Sequence, residues 1–176
     1  LVNVMLKEGK PYFIDFQGGR RGPIYYDVAS FLWQSSAKFT DEVRDQLIDE
    51  YLHALNDQLS AFQGQAPIES TLFKRRLHLF VLFRIMQVLG AYGYRGLWEK
   101  KAYFAKSIPL AISNLQKEVS LGTCDRYPYL RNVAQMLIAR NAEEEKSREQ
   151  DEAKEAKVAA YLKNDATYLK QGEKRL

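Results

Sequence analysis

Cysteine occurs once in this chain, at Cys124, so no internal disulfide can form, and no short apolar run follows a basic segment as a secretion signal would. A reducing, cytoplasmic setting is expected. Histidine is nearly as scarce. His53 and His78 have no second histidine or cysteine at ligand spacing, which disfavours a zinc site, and Cys124 has no plausible catalytic base nearby in sequence. Long apolar runs are missing too: the most apolar stretch, residues 77–89, is interrupted by His78, Arg84 and Gln87. It falls far short of the roughly 20 residues of a spanning helix, so a core helix is expected there and no membrane anchor. Charge of one sign is not concentrated. The 26 basic and 22 acidic residues, net +4, are spread along the chain, and no basic block offers a nucleic-acid footprint. Neither G-x-x-x-x-G-K-S nor G-x-G-x-x-G occurs, and Gly18-Gly19 alone is no phosphate cradle. No internal repeat is visible, which disfavours a solenoid.

What is present is the composition of a folded domain: 46% hydrophobic and 12% aromatic residues over 176 positions can bury one sizeable core. The chain opens with two β-prone runs, Val2 to Leu6 and Pro11 to Phe16, around a polar loop containing Gly9, a pattern that predicts a hairpin. Residues 17–23 are too rich in glycine and proline for regular structure and predict a loop. Helical spacing then takes over. A first helix is expected after Asp27 as N-cap, and a second from the cap Thr40 to about Gly64. A third is expected from about Ser70 to Leu89, closing on Gly90. A fourth should run from about Leu97 towards Gly122, and a fifth should begin near Tyr127. From Ala142 onwards acids and bases alternate with few apolar residues, which predicts a solvated helix or a frayed tail. A partner-binding coiled coil is disfavoured because sustained a and d positions are missing.

One end of the hairpin carries chemistry. Asn3 lies near the start of the first run and Asp15 near the end of the second, and antiparallel neighbours lie about 4.8 Å apart, so an amide oxygen and a carboxylate should arrive at the same end of the ribbon. Both are hard oxygen donors suited to Mg²⁺, which takes one or two protein ligands and fills its remaining positions with water and phosphate oxygens. An aspartate at a strand end is also a common turn-former.

Three quoted stretches carry a resemblance. Asn3-Val4-Met5-Leu6, then Tyr12-Phe13-Ile14-Asp15-Phe16-Gln17-Gly18-Gly19-Arg20-Arg21-Gly22-Pro23, then Tyr26-Asp27-Val28-Ala29-Ser30-Phe31-Leu32 form an ordered set. It resembles the aminoglycoside phosphotransferase and choline kinase family, closest to the bacterial branch of amino-sugar kinases. The run from Arg84 to Gly96 resembles that branch as well, so the likeness spans about the first two thirds of the chain and leaves the tail uncovered. The resemblance implies a mostly α fold, the helical C-terminal lobe of a protein-kinase-like structure with a short N-terminal β-hairpin. It also implies ATP and Mg²⁺ as cofactors, with Asn3 and Asp15 holding the metal and a small-molecule hydroxyl as acceptor, on a sugar or amino sugar.

The family's catalytic aspartate lies five residues before the asparagine, upstream of Leu1, and the nucleotide-clamping lobe would also have to come from upstream. A further N-terminal lobe of the same protein is therefore expected as partner, and the chain by itself should be inactive. On this division residues 1–141 form part of the phosphotransferase lobe and 142–176 a charged extension. Asp27 resembles the family aspartate that braces the catalytic loop, a role compatible with N-capping. Arg20 and Arg21 are candidate substrate or phosphate contacts, or simply solvated loop arginines. Tyr92, Tyr94 and Trp98, set among Gly90, Gly93 and Gly96, offer aromatic faces to a sugar or pack a helix junction. Arg84, inside the most apolar helix, should have an acidic partner if it faces the core. Two rivals remain: a non-catalytic, pseudokinase-like helical scaffold and a nucleotide-sensing regulatory module.

Overall fold

The computed structural model describes residues 4–15, 19, 21–34 and 37–172, without the side chains of 62, 63, 160 and 162–172. Strands β1 (Val4–Lys7) and β2 (Lys10–Phe13) pair antiparallel, Val4 opposite Phe13 and Lys7 opposite Lys10. The two residues between them, Glu8 and Gly9, both have positive φ, 53° and 74°. That is the twist of a type I′ turn, in which glycine carries no steric cost at the second position. The expected hairpin is present, but its turn is tighter than the sequence suggests: Lys7 and Lys10 belong to the strands, β2 ends at Phe13 before Ile14 and Asp15, and Val2, Asn3 and Phe16 lie outside the described residues.

Among the described residues five α-helices follow: α1 (Tyr26–Leu32), α2 (Asp41–Gln63), α3 (Ser70–Gly93), α4 (Ala102–Ser120) and α5 (Pro128–Gly172). A π-helical turn, Tyr94–Trp98, continues directly from α3. The protein is therefore mostly helical with a short N-terminal hairpin. Helix α2 begins as its sequence dictates, the Thr40 hydroxyl accepting from the Val43 amide, and ends on Gly64 in the left-handed conformation. Helix α1 does not begin as expected: its N-cap is Tyr25, and Asp27 lies inside the first turn, where its charge complements the helix dipole without capping it. Helix α3 starts on the Glu69 carboxylate, which accepts from the Thr71 and Leu72 amides, and runs past Gly90 to Gly93. The fourth helix starts at Ala102, later than expected, because Leu97 is taken up by the π turn.

The core is built on α3, which packs against both α1 and α4. Phe73, Leu77, Val81, Leu82 and Ile85 are buried along one face at helical spacing, meeting Val28, Ala29 and Leu32 of α1, with Leu115 of α4 in the same cluster. Tyr25 stacks on Phe80 at 5.3 Å and leans on Phe73 at 5.0 Å, and Tyr51 donates its hydroxyl to the Ile24 carbonyl at 3.0 Å. These contacts pin the exit of the glycine loop to α2 and α3. The stretch Ser70–Trp98 is, by length and composition alone, long and apolar enough to cross a membrane. Residues 77–89 are only the middle of this unbroken helix, so the expectation of a stretch too short to span does not hold for its full length. Its inner face is the protein's core, and its outer face shows Leu79, Phe83 and Met86 to solvent.

Helix α5 passes Ala142 without a break, and at 45 residues it is about 67 Å long. Its described side chains beyond Ala142 are exposed.

Candidate functional site

Asp15 lies two residues beyond β2, at the end of the ribbon where Val4 pairs with Phe13. Its φ is 60°, in the left-handed region that few non-glycine residues adopt, although aspartate tolerates it better than most. A backbone held there costs energy and persists where its surroundings over-determine it, a pattern concentrated at functional sites. Asn3 and Arg20 lie outside the described residues, so the pairing of Asn3 with Asp15 and the place of Arg20 are not addressed by the structure. Arg21 is exposed in the loop, and Asp27 is exposed on α1.

Beside Asp27, Tyr26 joins α1 to α3. Arg84 donates from Nη1 to the Tyr26 hydroxyl at 2.9 Å and to Gln87 Oε1 at 2.7 Å, and its guanidinium sits 5.0 Å above the Tyr26 ring. Arg84 is part-exposed rather than turned fully into the core, so the condition for an acidic partner is not met; none occurs among the described residues, and its buried Nε has no hydrogen-bond partner. The tyrosine face and the half-exposed position of the side chain replace the carboxylate, since a guanidinium that keeps part of its hydration needs no full counter-charge.

The aromatic trio clusters at one turn. Tyr92 is half-buried against Phe104, with centroids 5.8 Å apart, so it serves packing. Tyr94 and Trp98 project outwards, and Trp98 is 78% exposed. Gly96 lets this turn press onto the start of α4: a Cβ there would lie 2.7 Å from the Ala105 backbone nitrogen. Arg95 covers the Phe104 ring at 5.2 Å. The turn is therefore a rigid mount for two exposed rings, and π-helical turns are frequent at functional sites.

A second constellation was not foreseen. A cleft of about 720 Å³ opens between the end of α1, the start of α2, the first half of α3 and the end of α4. At its base Glu118, 1% exposed, receives His78 Nδ1 at 3.0 and 3.1 Å and the Thr123 hydroxyl at 2.9 Å. Arg44 donates from Nε to the Leu32 carbonyl at 3.1 Å and from Nη1 to Asp41 at 2.9 Å, and Lys117 reaches both Asp41 oxygens. The Asp41 carboxyl is held below its ordinary value chiefly by the Lys117 hydrogen bond, against a smaller opposing effect of burial, with Arg44 adding to the lowering. Behind this network the Cys124 thiol is pushed up by burial and then by the negative charges of Glu118 and Asp125. His78 and Glu118 are forty positions apart, so no local spacing announces the pair. The available signal was Glu118 falling on the buried stripe of α4 with Ala111 and Leu115.

Among the described residues no group of three or more His, Cys, Asp or Glu side chains could hold a metal ion. No curated protein matches the chain at a significant level. No solved structure does so either. The model of the phosphotransferase enzyme family matches residues 1–62, which carry the hairpin, Asp15, the glycine loop, α1 and nearly all of α2. That match supports the phosphotransferase family for this segment, with phosphoryl transfer as its general activity, and it leaves α3, the π turn, α4 and α5 outside.

Proposed function

We propose that the chain is the helical C-terminal lobe of an ATP-dependent small-molecule phosphotransferase of protein-kinase-like fold. The lobe proper is residues 1–141, and 142–176 is a charged helical extension. The observation that carries the reading is Asp15: a carboxylate in a left-handed conformation where a β-hairpin gives way to a glycine loop, inside the segment that matches the family. Its oxygens suit Mg²⁺, and one or two protein ligands suffice for that ion when phosphates supply the rest. Asp15 and Asn3 would hold it, and bound Mg²⁺ supplies neutralisation of charge on the nucleotide phosphates.

The chain's own residues do the positioning. The tight turn at Glu8-Gly9 fixes the strand register, and the Asp15 backbone sets where the carboxylate leaves the ribbon. Tyr25, Tyr51 and the Tyr26–Arg84 contact hold the loop exit and Asp27 against the core, where Asp27 would brace the catalytic loop. Tyr94 and Trp98 are the candidate platform for a sugar or amino-sugar acceptor, Arg21 and Arg20 are candidates for its phosphate, and Tyr92 supports the platform by packing. The catalytic aspartate and nucleotide clamp belong to a further N-terminal lobe, without which this chain is inactive. The exposed apolar side chains of the hairpin favour such a partner. The site lies in the cytoplasm on this reading, and neither nucleic acid nor a membrane is required.

The test is magnesium-dependent ATP turnover on hexoses and amino sugars by the protein extended upstream of Leu1, parent against Asp15→Ala. Full turnover in a folded Asp15→Ala protein sinks the assignment. The long exposed α5 favours a second reading, a non-catalytic scaffold that meets a protein partner through its charged helix. Titration of ATP and Mg²⁺ into the extended protein separates the two, since a scaffold binds neither. Binding without turnover on any acceptor marks a nucleotide-sensing module.

A further inference from the structure

The cleft at His78 and Glu118 takes no residue from the hairpin or the glycine loop and has no role in the reading above. Its volume of about 720 Å³ falls in the range of small-molecule pockets. Its charges are balanced: Arg44, Lys74 and Lys117 line it together with Asp41, Asp45 and Glu118. The cations are already engaged, Lys74 with Asp49 at 2.9 Å and the other two with Asp41. A ligand of net charge would therefore have to break an ion pair to be answered. A neutral ligand rich in hydroxyls would not, because each engaged side chain keeps capacity to spare. Arg44 uses two of its five N–H donors, Nε and one on Nη1, and carboxylate oxygens have further lone pairs.

The lining is also held in place before any ligand arrives. Arg44 is anchored at Leu32 and Asp41, its side chain only 10% exposed, and the His78 ring is fixed by both oxygens of the buried Glu118. Trp33 forms one wall, its ring 5.2 Å from the Arg44 guanidinium and edge-on to His78 at 5.8 Å. Pre-ordered polar groups of both signs beside an aromatic wall spare a polyol the ordering cost that usually limits its affinity.

We propose that this cleft is a second small-molecule site, separate from Asp15, for a neutral polyhydroxylated ligand of the sugar class. The proposal is independent of phosphotransfer, so either can fail alone. The 176-residue chain has two tryptophans, Trp33 and Trp98, and in a Trp98→Phe background the emission comes from Trp33 alone. Glucose and N-acetylglucosamine are titrated into that protein without nucleotide or metal, with glucose 6-phosphate as the charged comparison. A saturable change in emission with a neutral hexose is expected. It should weaken by at least about tenfold when Gln116→Phe fills the cleft or Lys74→Ala removes a donor, and persist in Asp15→Ala. Thermal melts establish that each variant is folded; both altered cleft side chains are at least partly exposed, so substitution there should be tolerated. No saturable response to either neutral hexose overturns the proposal. So does a stronger response to glucose 6-phosphate, or a response unchanged in both cleft variants.

Discussion

The hairpin and the helical body solve the burial problem in opposite ways. On β1 and β2 the large apolar side chains face solvent, with Leu6 77% and Phe13 79% exposed, whereas on α3 Phe73, Leu77 and Val81 are fully buried. A two-stranded ribbon alone is marginal in water, while a helix buried against two others holds its own shape. The body therefore supplies stability, and the ribbon leads to the candidate carboxylate, Asp15. In this molecule stability and the candidate chemistry are housed in different regions.

Substitutions should expose that difference. The largest effect on stability is expected for Phe73→Ala, which should cost about 3–5 kcal/mol in denaturant unfolding because it opens a cavity in the core. Glu118→Ala should cost about 1–3 kcal/mol, since it leaves His78 and the Thr123 hydroxyl without their shared acceptor, and half-exposed His78 can recover part from water. Thr40→Ala, which removes the α2 cap, should cost about 1 kcal/mol. Phe13→Ser on the ribbon should change stability by less than about 0.5 kcal/mol. If Phe13→Ser proves as damaging as Phe73→Ala, the contrast between ribbon and body is broken.

Acid should act mainly on the body. The Asp41 carboxyl is held low chiefly by Lys117, and the Glu69 carboxyl is held low by the Thr71 and Leu72 amides at the start of α3. A carboxyl lowered by folding contributes stability that is complete above its unfolded value, near pH 4, and that is lost as pH falls through the folded value. The melting temperature should therefore drop as pH falls below about 4, and Asp41→Asn and Glu69→Gln should each flatten the drop. Cys124 should react slowly with a thiol reagent in the folded protein, because burial raises its pKa and reduces the thiolate.

Where structure followed from neighbouring residues, the sequence was legible. The Glu8-Gly9 turn, the Thr40 cap and the Gly64 stop each depend on a few adjacent positions. Gly90 was read as a stop for the same reason, wrongly: glycine ends a helix when it takes positive φ, as Gly64 and Gly122 do. Gly93 instead has an ordinary helical φ of −60°, and the helix passes through it into the π turn. Contacts between distant residues were not legible. An acidic partner is expected for Arg84 only if it faces the core; the side chain is part-exposed and meets the Tyr26 hydroxyl instead, and nothing local marks Glu118 as the partner of His78. Position between a strand and a glycine loop marks Asp15 only weakly, the resemblance of the surrounding motifs marks it more strongly, and its left-handed backbone is visible only in the structure.

The central claim is tested most directly by magnesium-dependent ATP turnover in the upstream-extended protein, parent against Asp15→Ala, with melts to establish folding. Loss of a group that positions charge at the reacting phosphate predicts a fall of at least about a hundredfold with melting temperature unchanged. Turnover equal to the parent in the folded variant would contradict the assignment of Asp15.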